Sequence, residues 1–147
     1  MNKICLTLAF AALSLLPGVA NAQIITNIDA DIPFQFVVGD TTLPAGKYII
    51  EPRGEEEIAV VSNNGRTTVM HTCIRAVAHS EPDKTELIFR RYGNHEFLYK
   101  VFLGGESNGL ELTQSKLEHE LIKGGQKAVE HSREAKSRKS HKSHTSD

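Results

Sequence analysis

Short apolar runs of period two, broken every few residues by turn-forming glycines, constrain this chain more than any other feature. In "DIPFQFVV", Ile32, Phe34, Phe36 and Val38 alternate with Pro33 and Gln35, so one face of an extended strand is apolar. Pro33 has no N–H and belongs at a strand end or on a sheet edge. Gly39-Asp40 turns the chain, "TTL" follows, and "LPAG" places Pro44 and Gly46 where a type I turn wants them. "KYIIE" then returns as a strand, setting Tyr48, Ile49 and Ile50 against Val37 and Val38.

Two tight hairpins extend the pattern. A strand over 57–62 carries "IAVV" and meets Asn64-Gly65, the dipeptide suited to a type I′ turn. A two-residue loop there sets Val61 opposite Thr68, Val60 opposite Val69 and Ala59 opposite Met70, on a strand over 66–77. "HSEPDK" reads as a loop. Gly93-Asn94 suits a type II′ turn, with Arg91 opposite Glu96, Phe89 opposite Leu98 and Ile88 opposite Tyr99. Apolar residues on both faces of this hairpin, Leu87, Phe89 and Leu98 against Ile88, Phe97, Tyr99 and Val101, mark a strand pair covered on both sides.

After a Gly-rich stretch the period lengthens. Leu117 and Leu121 lie four apart with Ile122 beside them, Ser115 and Glu118 have capping-box spacing, and Gly124-Gly125 stops a helix over 115–123. Beyond Gln126 the chain is mostly Lys, Arg, Ser and His, with little to bury, and 124–147 reads as a disordered tail. Charge divides at the same place: residues 23–122 hold 9 Lys and Arg against 15 Asp and Glu, whereas 123–147 hold 7 against 3. The expected architecture is a single all-β domain over 23–123, about six antiparallel strands in a small barrel or sandwich, with one C-terminal helix.

The first 22 residues stand apart. Lys3 precedes an apolar run from Ile4 to Leu16, Pro17-Gly18 break it, and Ala20-Asn21-Ala22 has the small residues of a secretory cleavage site. The run is too short to span a membrane, and no second such run follows, so the expectation is an exported protein, periplasmic or extracellular, without a transmembrane segment. Cleavage after Ala22 removes Cys5 and leaves Cys73 as the lone thiol. No intrachain disulfide can then form, and the fold must rest on its core, with Cys73 expected inside it.

The search for reactive groups assigns no catalytic, cofactor-binding or metal-binding residue. "GESNG" at 105–109 matches G-x-S-x-G around Ser107, but that motif works at a strand-to-helix turn of a large α/β sheet. His71 and Cys73 share a strand face, yet no third group orients them. His71, His79, His95 and His119 lack zinc spacing, and His141 and His144 sit in the tail. The basic tail offers weak anion contact, but it has no interleaved aromatics, so nucleic acid is not an expected partner. Absence of Trp counts against a sugar platform or an aromatic ligand pocket.

"IPFQFVVGDTTLPAGKYIIE", the hairpin "LIFRRYGNHEFLYKVF" and "LTQSKLEHEL" together resemble a family of small exported bacterial proteins of unknown function. Its members share a signal peptide, a PFxFxVGxxxLPAGxY opening and an F-x-RYG…FL hairpin. The resemblance covers residues 29–123, implies a compact β domain of the cell envelope, and supplies no catalytic residues. The leading expectation is therefore a non-enzymatic structural or interaction protein with an unknown envelope partner. Behind it stand a module binding a small ligand or polyanion, and then a hydrolase using Ser107 or Cys73.

Overall fold

The structure, a computed structural model, describes residues 25–140; the expected signal segment 1–22, His141 and His144 lie outside them. In chain order the strands are β1 (Ile25–Ile32), β2 (Phe36–Val38), β3 (Thr41–Leu43), β4 (Gly46–Pro52), β5 (Glu57–Ser62), β6 (Thr68–Val77), β7 (Glu86–Tyr92), β8 (His95–Phe102) and β9 (Asn108–Leu112). Helix α1 (Lys116–Lys123), β10 (Val129–Glu134) and β11 (Lys136–Ser140) follow. The all-β class expected from the sequence is the one found. The strands form one mixed sheet in the order β10-β7-β8-β9-β6-β5-β4-β1-β11, with β2 joined to β3 and β8. All pairs are antiparallel except β2 with β8, where Val37 lies beside Phe97.

The sheet folds back on itself without closing into a barrel. β6 pairs with β5 through Thr72 and with β9 from Cys73 onward, so it passes from one half of the sheet to the other. Residues 129–140 do the same at the opposite corner. β10 runs along β7, β11 runs along β1, and the two strands share no ladder with each other. The seam is thus spanned by covalent chain at Ala135, whose N–H still bonds the Thr85 carbonyl at 2.9 Å. Between the halves lie Ile28, Ile32, Phe36, Val38, Leu43, Ile50, Ile58, Val60, Leu87 and Phe89, all fully buried. A second small cluster, Val37, Tyr92 and Phe97, packs with Leu121 of α1.

The opening stretch departs from its expected pairing. Ile32, Phe36 and Val38 do face the core, but Phe34 is only half-buried, and the chain breaks at 33–35 into two strands. Pro33 ends β1, as its missing N–H requires. β4 lies against β1, with Ile28 opposite Ile50 and Ala30 opposite Tyr48, so Val37 and Val38 pair with Thr42 and Thr41 of β3 instead. Residues 25–31, which the sequence reading passed over although Ile28, Ala30 and Ile32 alternate with Asp29 and Asp31, supply the strand that β4 needed. The "LPAGKY" motif has a local purpose: the buried Tyr48 donates its hydroxyl to the Pro44 carbonyl at 2.7 Å and pins the turn that precedes it. Its ring meets Phe36 edge-on, 5.1 Å between centroids.

Both hairpins keep the expected register near their turns. Val61 faces Thr68, Val60 faces Val69 and Ala59 faces Met70. The loop itself is wider than two residues. Gly65 alone has positive φ, +68°, so Asn64 does not adopt the type I′ conformation, and the Ser62 N–H bonds the Thr67 carbonyl across four residues. At the second hairpin Gly93 has φ +58° and Tyr92 pairs with His95, in keeping with a type II′ turn. Arg91 faces Glu96 and Phe89 faces Leu98, but a bulge then shifts the ladder and Ile88 pairs with Lys100, not Tyr99. The extra residue lets Leu98 and Val101, three apart, both enter the core cluster. Tyr99 stays covered by Arg90, whose guanidinium carbon lies 3.3 Å from the ring centroid.

Helix α1 starts as the capping spacing predicts, with the Ser115 hydroxyl accepting from the Glu118 N–H at 3.1 Å. Asp40, from the opening turn, accepts from the Lys116 N–H at 3.2 Å. The buried stripe differs from the expected one. Leu117 and Ile122 are exposed, while Glu118 is buried beside Leu121. Glu118 reaches the Tyr92 hydroxyl at 3.1 Å and Arg90 at 4.0 Å, so a carboxylate with partners replaces an apolar contact.

Candidate functional site

The largest departure from the sequence reading is also the best candidate for a working surface. The segment read as unstructured from 124 onward holds β10 and β11. Its apolar content is too low to fold alone; it is ordered by two open sheet edges that need main-chain partners. Val129 lies opposite Arg91 and Glu134 opposite Glu86 on β7, while Lys136 lies opposite Asp29 and Lys139 opposite Thr26 on β1.

Side chains reinforce the ladder. His131 and Glu96 meet at 2.6 Å, with 28% and 13% of their side-chain surfaces exposed. The His131 ring stacks on Phe89 at 5.7 Å and meets Phe34 edge-on at 5.5 Å, while Arg133 lies over the Phe34 ring at 5.4 Å. Glu130 bonds Arg90 at 3.0 Å, Glu134 bonds Lys84 at 2.9 Å and Arg138 lies 3.3 Å from Asp29. No residue of β10 or β11 whose burial is described is buried; Ala135, between them, is, and Lys136 and Lys139 project into solvent, as does Lys127 ahead of them. His131 went unnoticed in the sequence. The only clue to it was that it shares parity with Val129 and Ala135, the two apolar residues of 129–140.

A concavity of about 280 Å³ opens at one end of the sheet. Ile28, Val101, Leu103 and Leu110 line it, and an Arg75–Glu55 ion pair of 2.7 Å stands at the rim. A polar groove beside the seam contains Asp29, Asp31, Lys47, Tyr48, Lys136 and Arg138.

The groups weighed for chemistry fall elsewhere. Cys73 is buried in the core and its thiol points to the Glu55 carbonyl at 3.9 Å. Burial raises its pKa above the ordinary 9.0, with Glu57 and Glu56 adding to the effect. His71 is engaged separately: its Nε2–H donates to the Thr113 carbonyl at 2.7 Å, and its Nδ1 edge packs on Gly39 so closely that a Cβ there would lie at 2.7 Å. Ser107 is exposed, and its carbonyl accepts from the Ala78 N–H at 2.8 Å. Gly109, the last glycine of "GESNG", is not a loop residue but pairs in β9 with both Ala76 and Phe102. His79, His95 and His119 are exposed and scattered, and among the described residues no three of His, Cys, Asp and Glu gather as a metal site. No helix among the described residues is long and apolar enough to cross a membrane.

Comparison with protein-family models, with curated proteins and with solved structures returned no match to this chain.

Proposed function

We propose that this chain is an exported, non-enzymatic interaction protein of the cell envelope, and that the strand from Val129 to Ser140 is its contact surface for an anionic partner. One observation carries the reading: a basic segment is held by its main chain along two edges of an otherwise acidic domain, leaving Lys127, Lys136 and Lys139 directed at solvent. Holding Lys136 and Lys139 on a strand, not on a free tail, lowers the ordering entropy lost on binding. The export expectation rests on the pattern of residues 1–22 and supports an envelope glycan or lipid headgroup over nucleic acid.

The test is salt-dependent retention of the full exported chain on a polysulfated glycan matrix, and separately its binding to vesicles of anionic phospholipid. The triple variant Lys127→Ser, Lys136→Ser, Lys139→Ser should elute at clearly lower salt with an unchanged melting temperature, because exposed charges act through screened Coulomb attraction. Equal elution of variant and parent on both matrices refutes the reading. A second reading, a small apolar ligand, is favoured by the lining of the end cleft, whose 280 Å³ approaches the size of small-molecule sites, about 300 Å³ and upward.

A further inference from the structure

We infer that the strand Val129–Ser140 is exchangeable, and that the partner it fits is a second copy of this chain: the strand of one copy can leave its own seam and lie along β7 and β1 of the other. The inference goes beyond the anion-contact reading and does not depend on it.

Three features of the seam support exchange. First, the strand carries little of the core. Ala135 is its one described buried residue, and Val129 is more than half exposed, so departure leaves the two apolar clusters nearly intact. What departure exposes is main chain, along the edges of β7 and β1, together with the Phe34–Phe89 surface under His131. Open edges of that kind recruit another strand.

Second, the strand that matches both edges in register, and pairs with most of their polar side chains, is the chain's own, although Glu134 lies opposite Glu86. β10 brings Glu130 to Arg90, His131 to Glu96 and Glu134 to Lys84, and β11 brings Arg138 to Asp29. An unrelated strand would satisfy the backbone but not this alternation of charges. A second copy reproduces every pair, and reciprocal exchange closes with twofold symmetry.

Third, the connection to the strand is short and able to re-aim. Residues 124–128 join α1 to β10 and at full extension reach at most about 18 Å. Gly125 has φ +82°, and a Cβ added there would point into open space. The linker is anchored only at its start, by the Gly125 and Gln126 N–H groups on the Ile122 and Leu121 carbonyls. Hinges of this length are the points at which identical elements swap between copies.

The experiment uses two versions of the exported chain, each carrying Cys73→Ser so that no native thiol interferes. One carries Ile88→Cys on β7, the other Ser132→Cys on β10. These positions are direct cross-strand partners, so neither chain can form the bond within itself. After mixing at low and high concentration and oxidising, a heterodimeric disulfide rising with concentration, at least ten-fold above a control pairing Ile88→Cys with Lys139→Cys, is the expected result. Deleting Gln126–Ala128 from both chains should make the heterodimer dominate at all concentrations, since the strand can no longer return to its own seam. Circular dichroism and sedimentation of the unoxidised chains report whether each variant is folded. Heterodimer no greater than the control, in folded chains with the full linker at every concentration, overturns the inference. So does a folded, monomeric deletion variant. Loss of retention on anionic matrices would leave both of these readouts unchanged, so the two proposals fail separately.

Discussion

Replacing Gly109 by Ala should cost this domain measurable stability, whereas replacing its neighbour Ser107 should cost almost nothing. Gly109 lies inside the sheet, paired with Ala76 on β6 and Phe102 on β8. A Cβ built there would sit less than 3.0 Å from the Val101 carbonyl oxygen and the Phe102 ring, closer than real Cβ contacts occur. Val101 and Phe102 are both buried, so the obstruction is backbone and packed ring, not a loose side chain. Overpacking of this kind costs about 1–3 kcal/mol. The smaller conformational freedom of unfolded Ala returns about 0.4–1 kcal/mol. The net loss is then about 1–2 kcal/mol, which at about 4–8 °C per kcal/mol lowers Tm by roughly 4–16 °C. Urea denaturation should show a lower midpoint with an unchanged slope. Ser107→Ala, at an exposed bend, should stay within about 0.5 kcal/mol of the parent. A Gly109→Ala protein melting within about 1 °C of the parent refutes the close-approach argument. A Ser107→Ala protein that lost a hydrolytic activity with unchanged Tm would return the G-x-S-x-G reading to contention.

Alkaline pH should weaken the fold. Burial raises the pKa of Cys73, helped by Glu57 and Glu56, and also those of Tyr92, where Glu118 adds to it, and Tyr48. Folded-state values above the unfolded ones mean that these groups' stabilisation is intact below about pH 9 and is lost as pH rises through the raised folded values; urea midpoints flat from pH 8 to pH 11 would contradict this. The Cys73 thiol should react with a thiol reagent only after denaturant is added, and fast labelling of native protein would show the core placement to be wrong. Tyr92→Phe leaves the buried Glu118 carboxylate short of a donor and should cost about 1.5–3 kcal/mol in urea unfolding. Ser115→Ala removes the helix N-cap and should cost about 1 kcal/mol; an unchanged midpoint would mean that Asp40 alone holds the helix start.

What was legible in the sequence was local. The hairpin registers at Val61–Thr68 and Arg91–Glu96, and the Ser115 cap of α1, each depend on residues a few positions apart and on turn chemistry. The fold class followed, because period-two alternation between glycine turns admits few alternatives. Long-range matters were not legible. β4 pairs with β1, not with the strand it nearly adjoins, because Ile28 and Ile50 sit side by side on the buried face and Pro33 separates β1 from β2. The bulge before Phe89 was hidden because alternation assumes an unbroken ladder, although Leu98 and Val101 with Lys100 between them already break strict parity. Glu118 was read through its capping spacing alone, and its partners Tyr92 and Arg90 come from a strand roughly a quarter of a hundred residues earlier.

The C-terminal strand was illegible for a deeper reason, and that reason bears on function. A strand in the middle of a core announces itself by its own apolar residues, since burial is what orders it. β10 and β11 are ordered instead by what their neighbours lack: β7 and β1 each present an edge of N–H and carbonyl groups, and any strand of compatible charge can complete it. Sequence then specifies the segment only through pairs such as His131–Glu96 and Arg138–Asp29, which are invisible until the edges are known. The same property makes the strand replaceable. An element that contributes Ala135 and little else to the core carries little of the apolar burial that holds the rest of the domain together. The opening "IPFQFVVGDTTLPAGKYIIE" is the reverse case. Phe36, Val38, Leu43, Tyr48 and Ile50 are buried, Asp40 caps α1 and Gly39 receives His71, so that stretch is bound into the fold at almost every step. Conspicuous sequence marks the scaffold here, and the inconspicuous basic segment is held chiefly by main-chain edges.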